Sequence, residues 1–295
     1  MIRNLGTGSI FTHITKSLME NYEVTIPPLP IQKKIVHILL TLDDKIELNR
    51  KMNQTLEDMA SAIFKSWFVD FDPVHAKANC TDEAELENIA KDLGISKEIL
   101  DLFPSKFEES ELGMIPKGWE WKSFGDVVIP KRGKTITKST ITEGNIPVVA
   151  GGLSPAYYHG EYNAEAPTIT ISASGANAGY VNLYNQNIWA SDCSYINNTN
   201  TKYVYSMYLF LKAQQYEITR MQQGVAQPHV YPKDLMRLMI VDCGEKFWEL
   251  LEKMITPIFE KIANNQNEIQ TLEKTRDTLL PKLLSGEIDV SELKI

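Results

Sequence analysis

One segment of this chain occurs twice at a constant offset of 216 positions, so any fold must accommodate both copies. Residues 8–57 align on 224–273 without a gap. Gly8/Gly224, His13/His229, Lys45/Lys261, Ile46/Ile262 and Asn49/Asn265 coincide, and Gln54-Thr55-Leu56-Glu57 recurs as Gln270-Thr271-Leu272-Glu273. Elsewhere the apolar character persists, as at Ile35/Leu251, Ile38/Met254 and Leu42/Ile258. A repeat this long differs from the short-period kind that stacks into solenoids. It describes two copies of one module, the first cut near its end.

The core of each copy has helical periodicity. Ile31, Ile35, Ile38, Leu42, Ile46, Leu56, Ile63 and Trp67 follow a spacing of threes and fours, with Asn49, Asn53 and Ala60 filling the frame. The second copy runs Leu251, Ile255, Ile258, Ile262, Asn265, Ile269, Leu272, Leu279, Leu283. At 1.5 Å per residue, a helix over 30–67 is roughly 57 Å long. Two such helices with narrow apolar seams are expected to pair as an antiparallel coiled coil. The pairing positions are Ile35, Leu42, Ile46, Asn49 and Leu56 on the first, and Ile258, Ile262, Asn265, Leu272 and Leu279 on the second. Asn49 and Asn265 lie on the seam, where a polar residue fixes register. The competing reading packs each stripe on its own globular domain.

Around these helices the chain divides into residues 1–29, a remnant too apolar for a solvated tail, and 30–72, the first helix with the aromatic run Phe64, Trp67, Phe68 and Phe71. An acidic connector follows over 73–110, with a short helix at Asp82–Leu93. Residues 111–244 form a mixed domain, and 245–295 the second helix and tail. In the mixed domain Thr168–Ala173 alternates as a half-buried strand should. Gly151-Gly152, Ser174–Asn177 and Asn197-Asn198 mark turns. Tyr203–Met221 reads as one helix. The fold class is therefore α+β: one mixed α/β domain plus two long helices.

Charge is distributed unevenly. The chain carries a net −8. From Asp72 to Glu111 there are 11 acidic and 4 basic residues, whereas Lys117–Arg237 has 8 acidic and 11 basic. The mixed domain is thus mildly basic and permits contact with phosphate. Cys80, Cys193 and Cys243 are isolated and read as reduced thiols in a cytoplasmic protein.

Catalytic signatures fail on inspection. The string nearest to a base-methylating loop, Ile26-Pro27-Pro28-Leu29, lacks the polar and aromatic members such a loop requires. Gly133-Lys134-Thr135 lacks the earlier glycine of a phosphate-binding loop, because Val128 stands there. Glu292-Leu293-Lys294 is a nuclease-like fragment at a terminus. The five histidines show no metal-ligand spacing. No catalytic residue, metal or cofactor is expected of this chain itself.

Three strings together resemble the specificity (S) subunit of type I restriction–modification systems. They are Ile26–Ile35 entering the first helix, Ala62–Val74 leaving it, and Glu111–Glu120 opening the mixed domain. The resemblance covers essentially the whole chain. It implies a non-catalytic subunit in which target-recognition domains each read half of a split site in double-stranded DNA. The conserved helices would space those domains and dock modification (methyltransferase) subunits, with restriction subunits joining the full complex. Against that pattern this chain has one complete recognition domain, and 1–29 matches only the end of another. A self-dimer or a separate chain would then supply the second half-site. The alternative is an architectural coiled-coil adaptor, or a decayed gene product, without sequence-specific binding.

Within the mixed domain, Lys131, Arg132, Lys134 and Lys138 are the densest basic run, read either as phosphate contacts or as an ordinary solvated loop. Gln222, Gln223, Gln227 and His229 flank Gly224. Glutamine can pair bidentately with adenine, whereas the recurrence of His229 as His13 also fits a structural turn. Ser174, Asn177 and Tyr180 complete the DNA-binding candidates on a polar loop.

Overall fold

The computed structural model describes residues 26–80, 82–223 and 228–293, together with Lys16 and Glu20. The expected remnant, 1–29, therefore lies almost wholly outside the described residues, as does Gln227. The chain divides into two compact units, one built from residues up to Arg50 and from Gln266 onward, the other Lys51–Asn265. Both long helices, α1 (Leu29–Phe68) and α9 (Glu245–Ser285), contribute to each.

In the first unit the prolines at the start of α1 fit where they stand, because first-turn N–H groups have no intrahelical acceptor. The Pro28 carbonyl instead accepts the N–H groups of Ile31 and Gln32. The helices run antiparallel. Ile35 packs with Leu283 and Val290, Arg276 is 2.8 Å from Asp43, and the Asn49 amide donates to Glu268 at 2.8 Å. Partners thus descend along α9 as positions ascend along α1. Ile46 and Asn49 are buried, whereas Leu42, Leu272 and Leu279 are half-buried. Gly286, at φ 77°, ends α9 in the left-handed region that favours glycine. The chain then turns back, and Lys34 Nζ holds the Ser291 carbonyl at 2.5 Å.

The second unit holds the largest core. The Asn265 amide donates to Asn53 Oδ1 at 2.8 Å, and both helices then join a globular core. Leu56 and Ile258 pack at its margin. Phe68 stacks on Trp119 and Trp248, with centroids 5.8 and 5.2 Å away, and Trp67 meets Phe103 edge-on at 5.0 Å. The aromatic run at the end of α1 is therefore the anchor of this core. Both sequence-based readings of the helical stripes apply, over different stretches: helix against helix in the first unit, helix against domain in the second.

The acidic stretch is itself folded. It comprises α2 (Asp72–Asn79), α3 (Glu83–Asp92) and α4 (Lys97–Leu102), followed by the hairpin β1 (Phe107–Ser110) and β2 (Gly113–Pro116). Leu100 and Phe103 are buried, so its charge lies on the outer faces of packed helices. Next come β3 (Glu120–Ser123) and the short helix α5 (Phe124–Val127), with β3 pairing β11 (Met239–Asp242).

Two further sheets build the mixed region. The four-stranded antiparallel sheet has the order β4 (Lys131–Arg132), β10 (Cys193–Asn197), β7 (Thr168–Ser172), β8 (Val181–Tyr184). A three-stranded sheet has the order β6 (Tyr157–His159), β5 (Ile146–Val149), β9 (Trp189–Ala190), with β5 and β9 parallel. Strand β7 differs from the half-buried expectation, because both its faces are buried. Its hydroxyls tolerate this through local acceptors: Thr168 donates to the Glu165 carbonyl and Ser172 to that of Gly151.

The helix expected over Tyr203–Met221 is two helices, α6 (Val204–Ala213) and α7 (Gln215–Arg220). The break at Gln214 lets the Gln215 side chain accept from Val181 N–H at 2.9 Å and donate to the Gly179 carbonyl at 2.9 Å, closing the turn into β8. The short α8 (Pro232–Leu235) precedes β11. Among the described residues no helix is long and apolar enough to cross a membrane.

Candidate nucleic-acid interface

The antiparallel order of the four-stranded sheet brings chain segments distant in sequence to one of its ends. There β4 finishes at Arg132, β10 starts after Asp192, and β7 finishes at Ser172 before the loop 173–180. Segment 228–230 lies along that loop: Gly175 N–H donates to the Pro228 carbonyl and Val230 N–H to that of Ala173, both at 3.0 Å. Ser174 and His229 form an antiparallel bridge, as do His229 and Gln223.

A row of polar side chains follows along this rim. Arg132 Nη2 donates to Asp192 Oδ1 at 2.7 Å, and the Ser174 hydroxyl bonds the other oxygen of the same carboxylate. Gln223 Nε2 donates to Asp234 Oδ1 at 3.2 Å, and the His229 ring stacks on Tyr231. Two glycines permit the close packing beneath. A Cβ on Gly133 would stand 2.2 Å from the Ser191 carbonyl oxygen, and one on Gly151 would stand 2.6 Å from that of Ser174. Beside the rim, burial pushes the Cys193 thiol up to about 12, so it stays protonated and acts as a small apolar group.

The other candidates have separate settings. Lys131 donates to the Thr199 hydroxyl at 2.7 Å. Lys134 lies 6.0 Å from the Trp189 ring centroid and Lys138 lies 5.6 Å from that of Tyr157; neither has a carboxylate partner among the described residues. Thr142 N–H donates to His159 Nδ1 at 3.1 Å, and His159 meets Trp189 edge-on. Asn177 donates to the Gly151 carbonyl at 3.3 Å, and Gln222 donates inward to that of Ala178 at 2.9 Å. Tyr180 is set apart, beneath Lys212 at the rim of a cleft of about 630 Å³ that Glu57 and Tyr208 also line. Sequence reasoning missed Asp192, Asp234 and Tyr231. No local pattern marks them, since each acts through a partner that only the folded sheet supplies.

No group of His, Cys, Asp and Glu among the described residues could hold a metal ion. The rim presents the Arg132 guanidinium, the Ser174 hydroxyl and the His229 ring beside the carboxylates of Asp192 and Asp234.

Comparison with known proteins identifies the class. The family model described as "Type I restriction modification DNA specificity domain" matches residues 2–58 and 116–274. The chain belongs to this family.

Among its relatives, a type I restriction enzyme HindI specificity subunit from Haemophilus influenzae is 30% identical over 98% of this chain and 73% of its own length. A type I restriction enzyme MjaIX specificity subunit from Methanocaldococcus jannaschii is 27% identical over 99% of this chain and 66% of its own length. The crystal structure of a type I restriction–modification system S subunit from M. genitalium shares the fold. Its TM-score is 0.57 at 20% identity, covering 95% of this chain and 68% of that one.

Proposed function

We propose that this chain is the non-catalytic sequence-recognition subunit of a type I restriction–modification complex. It contacts double-stranded DNA through the polar end of its four-stranded sheet. Its paired helices dock the modification subunits, and restriction subunits join the full assembly. In this reading 111–244 is the target-recognition domain, held between the helical segments 30–72 and 245–295, and it reads one half of a bipartite site. A second recognition domain reads the other half, and a second copy of this chain is one source of it. Two-fold pairing of this chain would make the split site palindromic.

The observation that carries the reading is the meeting of Arg132, Ser174 and His229 at one end of a sheet, with Lys134 two positions beyond Arg132, in a family defined by DNA specificity. Phosphate contacts by lysines without carboxylate partners, such as Lys134, release counterions, so affinity should fall steeply with salt. The test is a binding titration of the chain assembled with its modification subunits, against duplexes of differing sequence across a salt series. Sequence-dependent, salt-sensitive binding is expected. Binding by the complex that is indifferent to sequence, and unchanged when Lys131, Arg132 and Lys134 are all replaced by Ala, would favour the adaptor reading instead.

A further inference from the structure

We infer that Arg132 reads a guanine in the major groove, and that Asp192 is the positioning residue that aims it. The inference rests on the recognition reading above and assigns one residue a base-specific role within it.

The cations of the basic run differ in what holds them. Lys134 and Lys138 lie over aromatic rings without carboxylate partners, free to follow a phosphate chain. Arg132 is fixed. One of its five N–H donors is committed to Asp192 Oδ1 at 2.7 Å, and the second oxygen of that carboxylate is committed to Ser174. Asp192 can therefore rotate little, and its backbone is tied down as well, because its carbonyl accepts Ala173 N–H at 3.1 Å. The Arg132 side chain nevertheless keeps 43% of its surface exposed.

A guanidinium paired with a carboxylate contributes little net charge to phosphate attraction. Partly exposed and with one donor bonded to Asp192, its planar fork keeps donors that suit the paired O6 and N7 acceptors of guanine, a geometry the lysine ammonium cannot match. Pre-orientation also lowers the ordering cost on binding. The glutamines of the rim are less well placed for this task, since Gln222 and Gln223 spend side-chain donors on Ala178 and Asp234.

The experiment selects binding sites from a random duplex pool with the complete complex carrying wild-type chain, Arg132→Ala, Arg132→Lys, Asp192→Asn, or Lys134→Ala with Lys138→Ala. The wild type should select a half-site containing a G·C pair whose preference Arg132→Ala relaxes by about 5- to 150-fold, leaving other positions intact. Arg132→Lys retains the charge and the ion pair, so it folds, and it should lose the same preference. Asp192→Asn should weaken preference at that same pair alone, which a merely structural change would not do. The double lysine variant should bind all sequences more weakly and reduce the salt slope by about 2. An unchanged consensus with Arg132→Lys and Arg132→Ala overturns the inference while leaving recognition intact. A wild-type complex that selects no consensus overturns both.

Discussion

Glu252 ties α9 to the start of α6 beside the apolar contacts of Trp248 and Phe259, and removing it has a calculable cost. Its carboxylate accepts Tyr205 N–H at 3.0 Å, Ser206 N–H at 2.9 Å and the Ser206 hydroxyl at 2.6 Å. Helix α6 has no side-chain cap of its own, since Tyr203 at its start makes none. Glu252 supplies the missing cap from another element, where a negative charge also suits the helix dipole. Each charge-assisted bond contributes about 1.5–3 kcal/mol, offset by the cost of burying the carboxylate. Glu252→Ala should therefore cost about 2–4 kcal/mol net, or roughly 5–15 °C in Tm for a unit of this size. Burial holds the Glu252 carboxyl above the usual range, against the pull of its Ser206 and Tyr205 donors. The folded chain then binds more protons than the unfolded one between about pH 4.3 and the raised value, so stability falls as pH rises through that window. Glu252→Gln should abolish this slope. Urea melts of the three proteins from pH 4 upward measure both effects. A Glu252→Ala variant within about 0.5 kcal/mol of wild type, or an unchanged slope in Glu252→Gln, would show that the carboxylate is solvated and the clamp does not exist.

Other substitutions probe the helix pair and the sheet end separately. Asn265→Ala leaves Asn53 without its donor and should cost about 1–3 kcal/mol by denaturant melting. Asn49→Ala should cost less, near 1 kcal/mol, because Glu268 keeps Lys45 at 3.5 Å. Gly133→Ala places a Cβ against the carbonyls of Ser191 and Ala190, which are backbone and cannot swing aside. It should destabilise by about 1–3 kcal/mol and displace Arg132, so that DNA affinity falls further than the melting shift alone explains.

The long helices were legible because their apolar period runs over many turns, where single-residue exceptions average out. The pair Asn49 and Asn265 illustrates the gain: frame and repeat alone put both on the seam, and both are buried and bonded to polar partners across the helices. Their length was legible too, but not their change of partner near Arg50. Helix-packing and domain-packing stripes look alike in sequence, and only the distant aromatics Phe103, Trp119 and Trp248 reveal which one applies. Thr168–Ser172 read as a strand because alternation has a period of two, yet its hydroxyl face is covered by segments whose position depends on the strand order. The α6–α7 break carries no glycine or proline, since a side-chain bond from Gln215 to β8 produces it. For the rim, the basic run was visible locally. The pairing of Arg132 with Asp192 spans 60 positions and follows only from β4 lying beside β10.

The role proposed for this chain is to choose the DNA sequence on which its partners act. Its most direct test is a map of modified bases in cells that express the modification subunits with and without the chain. A bipartite set of modified sites should appear only with the chain and should be altered by Arg132→Ala. An identical set of modified sites in its absence would contradict it.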